Sequence, residues 1–198
     1  MTASAPPVRY GRVIRAAIDR FSAECFNRDG APPLGLLVAV EDVDEPVFGI
    51  VSGVLTEGID PTRRVTARGE PEHDLQRVLE ENPHVPALLA TTFDAVIVGH
   101  ERDGMVRQYL PAAPAPILAR VRGCSEVESA EFMRSFDFLR LLLAAGYFAD
   151  DVIAAALRQA AAAQPDRRGF LVRAGKALTP LLADDATRLQ AILRRIQP

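Results

Sequence analysis

The stretch whose residue types come nearest to a reactive site is Gly169-Phe-Leu-Val-Arg-Ala-Gly175-Lys176-Ala177. A phosphate-binding loop places four residues between its first glycine and the Gly-Lys pair, so that backbone N–H groups cradle the phosphates, and then supplies a Ser or Thr hydroxyl for Mg²⁺. Here five residues intervene, Ala177 stands where the hydroxyl belongs, and no strand precedes the segment to aim it. It reads as helix with an interior glycine.

The other chemistry-bearing residues are dispersed. His73, His84 and His100 share no helical or hairpin spacing with one another or with a cysteine, as metal ligands usually do, and read as solvated side chains in helix or loop. Cys25 and Cys124 lack a Cys-x-x-Cys partner and fit two small hydrophobic thiols in a reducing compartment. Cys25 has no histidine near it in sequence, so a nucleophilic role requires a site assembled only by the fold. Carboxylate pairs such as Asp42 with Asp44, or Asp150 with Asp151, have the spacing of turns and helix caps. No catalytic set, metal set or cofactor motif is complete, and the expectation is a non-enzymatic chain that binds no cofactor.

One charged cluster stands out. Arg167, Arg168, Arg173 and Lys176 fall within ten residues, and Arg194-Arg195 end the last helix pattern. Two readings stay open. These are a solvated helix face whose terminal arginines complement the helix dipole, or contacts to phosphate or to a partner. Residues 150–198 hold eight basic and five acidic side chains, a net +3, which leaves −6 for residues 1–149 of the chain's −3. Lys176 is the one lysine; every other cation is arginine, as a GC-rich coding sequence would also produce. Trp is absent and aromatics make up 6% of the chain, so base stacking would contribute little to any nucleic-acid contact.

The chain has 198 residues, 48% apolar and 25% charged, which suits a globular domain with its own core. Residues 1–7 read as a flexible start without the basic and apolar regions of a signal peptide, and the run Leu141–Ala145 is too short to span a bilayer. A cytoplasmic protein with no membrane contact is expected.

Strand patterns fill the first half: 11–18, 34–40, 46–55, 93–99, 105–110 and 117–122. The Asp103-Gly104 pair between two of them marks a hairpin. Residues 72–81, with Leu75, Val78 and Leu79 at helical spacing, predict one inserted helix. Ser125-Glu-Val-Glu128 is a capping box opening a helix toward Gly146. Further helices are predicted over 151–163, 167–182 and 185–196, with acidic caps at Asp150, Asp166 and Asp184. The expected fold is α+β. A small N-terminal β-barrel spans 8–122, and a C-terminal helical region follows over 123–198.

Gly11-Arg-Val-Ile, Pro33-Leu-Gly-Leu-Leu-Val-Ala-Val40 and Val47-Phe-Gly-Ile-Val-Ser-Gly-Val54, with Tyr109-Leu-Pro-Ala-Ala-Pro-Ala-Pro116 leading into Val121, resemble the HAS-barrel over roughly residues 8–145. That barrel precedes the motor domain of HerA-type DNA translocases and of ATP synthase catalytic subunits. The motor is missing here, so ATP hydrolysis and translocation do not carry over. The resemblance implies packing in an oligomer and docking of a protein partner such as a NurA-type nuclease or a translocase. The function expected is an interaction or assembly module of a DNA-processing complex; the alternative is a nucleic-acid-binding protein using the basic C-terminal helices.

Overall fold

The computed structural model describes residues 7–42, 44–60, 77, 80, 88–146 and 148–197. Its strands are β1 (Arg9–Ala16), β2 (Arg20–Cys25), β3 (Leu37–Val40), β4 (Val47–Gly58), β5 (Leu89–Arg102), β6 (Met105–Arg107) and β7 (Arg120–Gly123). Helices α1 (Glu126–Phe132), α2 (Leu139–Leu143), α3 (Ala149–Ala162), α4 (Arg167–Leu181) and α5 (Ala186–Ile196) follow. All strand pairs are antiparallel, and the β2–β5 pairing closes six strands into a barrel of order β1-β2-β5-β4-β3-β7. Closure leaves these six strands without a free edge, while β6 hangs on β5 as a hairpin. The hairpin turn has Asp103 at φ 52° and Gly104 at φ 70°, the positive values a two-residue turn between twisted strands requires.

Two apolar cores explain the composition of the strands. Val38, Val40, Val47 and Val51 point into the barrel beside Phe21, Phe93, Ile97 and Val121. Leu37, Ala39, Phe48, Ile50 and Val98 point outward into a second core, shared with the helices. Strand β3 and the start of β4 are therefore buried on both faces, and an uninterrupted apolar run is what such burial needs. The helices thus cap the barrel wall. Helix α3 lies close against it, because buried alanines at 149, 154, 155, 156, 160 and 161 present little bulk. Gly35, at φ +80°, abuts the α3 backbone at Ala155 and Ala156, and Gln159 Nε2 donates to the Leu34 carbonyl at 2.7 Å.

Several expectations change. Strand β2 was not foreseen; its alternation of Phe21, Ala23 and Cys25 is muted by two small side chains. Ile117 and Leu118, expected to start a strand, form a turn instead. The helix predicted from Ser125 to Gly146 breaks between Phe132 and Leu139. Gln108 fills the break: its Nε2 donates to the Phe132 and Ser135 carbonyls at 2.6 and 3.2 Å, and its Oε1 accepts from the Phe138 amide at 3.1 Å. Replacing Gln108 by Leu strands three backbone groups and is expected to cost about 2 kcal/mol in denaturant titrations. Asp166 caps α4 as expected, whereas Asp185, not Asp184, caps α5, and Phe148 occupies the α3 cap position ahead of Asp150 and Asp151. The helix predicted over 72–81 lies outside the described residues, apart from Arg77 and Glu80, which are helical.

Candidate interaction surfaces

The reactive residues are placed as structure. Cys25 and Cys124 are free thiols, each pushed up from its ordinary value by burial, with a carboxylate (Glu24 and Glu128 respectively) adding to the effect. Both are kept protonated at neutral pH, the opposite of what a nucleophile needs. His100 is a correction: it lies on β5, is 3% exposed, and donates from Nδ1 to the Tyr109 carbonyl at 3.2 Å while its ring packs edge-on against Tyr109. The strand continues three residues beyond its expected end at Gly99 and carries the imidazole inward. His73 and His84 lie outside the described residues. Among the described residues no three His, Cys, Asp or Glu side chains are grouped to hold a metal ion, and no helix is long and apolar enough to cross a membrane.

A cleft of about 700 Å³ opens between the β2–β5 side of the barrel and helices α2 and α3. Its barrel wall carries Arg15, Asp19, Arg20 and a Ser22–Asp94 pair with the hydroxyl donating at 2.5 Å. Leu141, Leu142 and Phe148 face it from the helices. The hydroxyl is held by a carboxylate, but among the described residues no imidazole lines the cleft to take its proton.

A network of ion pairs locks the seam where β1, β3 and β7 meet α1. Arg122 reaches Glu41 at 3.0 Å and Glu128 at 2.5 Å, Arg9 reaches Glu41 at 3.1 Å, and Arg120 pairs with Asp42. The Arg122 hydrogen bonds hold the Glu128 carboxyl down at about 2, and those of Arg120 hold Asp42 at about 2. Ser125 and Glu128 make both bonds of the capping box that opens α1.

Next to this seam the turn 116–119 puts bare apolar side chains into solvent. The Ala119 amide donates to the Pro116 carbonyl at 3.3 Å, with Ile117 and Leu118 at the apex. Leu118 sits at φ +69°, a region that favours glycine and costs a leucine on the order of 1–2 kcal/mol. Three bonds pin it there: Leu118 N to Val13 O at 2.8 Å, Val13 N to Ala119 O at 2.9 Å, and Arg12 Nη1 to Leu118 O at 2.7 Å. The same stretch of β1 shifts register between Val13 and Arg15, leaving Ile14 unpaired on the outside. Ile14, Ile117 and Leu118 are 43%, 56% and 63% exposed. Sequence reasoning missed this knuckle, because no Gly or Asn marks the left-handed position.

The six expected contact residues divide into two groups. Arg167, Arg168, Arg173 and Lys176 are exposed on α4, and Arg194 is exposed near the end of α5. Arg195 is engaged, pairing with Asp151 at 2.9 Å while its carbonyl accepts from Arg158. Arg173 lies over the Phe170 ring at 5.9 Å. Gly169 to Ala177 is helical throughout, and a Cβ on Gly175 would stand 3.2 Å from Leu193, which brings α4 and α5 together at that point. No protein-family model matches the chain, and no curated protein matches it.

Proposed function

We propose that the chain is a non-enzymatic interaction module that docks a protein partner through the Ile14–Ile117–Leu118 knuckle of its barrel. The observation that carries this reading is the strained, exposed Leu118. A turn apex is ordinarily polar, with glycine at the left-handed position, yet this one keeps two large aliphatic side chains in water at a cost to the fold. Apolar side chains held out together beside a β-bulge are the usual makings of a contact surface. The placement of both thiols and of His100 in structural roles fits the same reading. The partner class that the HAS-barrel resemblance brings with it is a nuclease or translocase of a DNA-processing complex, or further copies of the chain.

Leu118→Gly separates docking from folding. Glycine relaxes the left-handed residue but costs unfolded-state entropy, so stability is expected to stay within about 1 kcal/mol of the parent. Self-association in light scattering across a concentration series, and partner capture from native lysate, are expected to be lost. Assemblies that survive this substitution, or a parent that is strictly monomeric and captures nothing, would remove the proposal.

A further inference from the structure

We propose a second surface: the outward face of α4, together with the end of α5, binds the phosphate backbone of duplex DNA. The two helices carry seven cationic side chains and no carboxylate over their 26 helical residues. Arg188 and Arg195 are neutralised from α3 by Asp150 and Asp151. Arg167, Arg168, Arg173, Lys176 and Arg194 meet no carboxylate among the described residues. Elsewhere among the described residues Arg9, Arg20, Arg102 and Arg134 are exposed and stand against a carboxylate. Arg12, Arg15, Arg140 and Arg158 are exposed without one but scattered over different elements. Helices α4 and α5 differ in gathering five such cations on two helices that carry no acid.

Their placement is ordered. Arg168, Val172 and Lys176 follow one another at i, i+4 and i+8 along the exposed side of α4, with Arg173 flanking, while Phe170, Leu171, Ala174 and Leu178 face the core. Lys176 and Arg194 are the immediate neighbours of the Gly175–Leu193 contact, so the cationic side chains span both helices. Arg167 and Arg168 occupy the first turn of α4, where the helix dipole is positive and cations are unfavourable. A bound polyanion offsets that repulsion.

The same face argues for a duplex over a single strand. Single strands are held by bases stacked on exposed aromatics, and the aromatic residue of α4, Phe170, is fully buried. Phosphate contact alone leaves a sequence-independent, salt-dependent interaction. The net acidity of residues 1–149 directs that contact to the helices.

The test is fluorescence anisotropy of the full chain with a mixed-sequence duplex between about 50 and 200 mM salt. With up to five phosphates engaged, log Kobs is expected to fall against log[salt] with a slope of about −4.5. The triple variant Arg168→Gln, Arg173→Gln, Lys176→Gln is expected to bring the slope to about −2, with an unchanged thermal midpoint because all three residues are solvent-exposed. Should that variant misfold, Arg194→Gln alone is expected to lower the slope by about 1, and Arg20→Gln, on strand β2 and paired with Asp19, to leave it unchanged. No binding at the lower salt, an unaltered slope in the variants, tighter binding of a single strand of equal length, or binding of poly-glutamate in place of DNA would each overturn the inference. Leu118→Gly is expected to leave DNA binding intact, which keeps this surface distinguishable from the docking knuckle.

Discussion

Gly35→Ala is expected to destabilise the protein by about 3 kcal/mol or more. The position has φ +80°, so alanine there loses about 1 kcal/mol before any contact is considered. The new methyl would also sit 2.5 Å from the Ala155 carbonyl carbon and 2.7 Å from its Cβ, and nearer still to the Ala156 amide nitrogen. Two of these are backbone atoms of α3 and the third is an alanine methyl, none of which can turn aside as a long side chain would, so the helix must move off the barrel. Overpacking of this kind costs a further 1–3 kcal/mol. Because Gly35 lies where the barrel meets its cap, the loss should appear first as separation of the two. Denaturant unfolding followed by circular dichroism, with limited proteolysis of α3–α5 alongside, checks this. An unchanged midpoint would mean that α3 does not bear on Gly35 as described.

Arg122→Ala is the second large effect, at about 2 kcal/mol. Arg122 is nearly buried and joins Glu41 to Glu128, so its loss leaves Glu128 without its cation, while Glu41 keeps Arg9 and Arg120. The cost falls below the 3–5 kcal/mol of a fully buried pair because Glu128 is a third exposed. Acid supplies the signature. Glu128 and Asp42 bind their protons more weakly in the folded chain, at about 2, than in the unfolded one. Their stabilisation is therefore complete above the ordinary carboxylate range, near pH 4.5, and drains away as pH falls toward 2. Without Arg122 the Glu128 carboxyl moves back toward its ordinary value and has less to lose. Urea midpoints of parent and variant, well apart at pH 7, should draw closer at pH 3. A gap that stays constant would show that Arg122 acts through packing alone.

How much of this was legible beforehand depended on whether the signal was local. The Asp103-Gly104 turn and the Ser125–Glu128 box declare themselves within four residues, and both form as read. The strand patterns of the first half and the helix patterns after Ser125 are likewise local, which is why a barrel with a helical region was readable, whereas the burial of Leu37–Val40 on both faces came only with the fold. The break after Phe132 was not, since its cause is the side chain of Gln108, 24 residues upstream. The left-handed Leu118 was hidden for a similar reason: hydrogen bonds from β1, more than a hundred residues earlier, hold it there. For the cationic cluster, the residue types were visible but not which of them lack a counter-charge. Asp150 and Asp151 neutralise Arg188 and Arg195 through the packing of α3 on α5, and no spacing rule assigns those pairs.

The position of β7 has a consequence for how the chain is made. This four-residue strand is the stave between β1 and β3, pairing Gly11 with Val121 and Val40 with Val121. On a ribosome, the first strands emerge long before Arg120–Gly123, so during that interval β1 and β3 each present an open row of amides and carbonyls to whatever is near. Closing the ring joins Val121 to partners 110 and 81 positions earlier, Gly11 and Val40, which makes it a slow step for so short a strand. The helix-capping sequence that starts at Ser125, two residues later, then seals the joint through Arg122 and Glu128 as soon as it appears. Chain growth thus delivers the last stave and its clasp together.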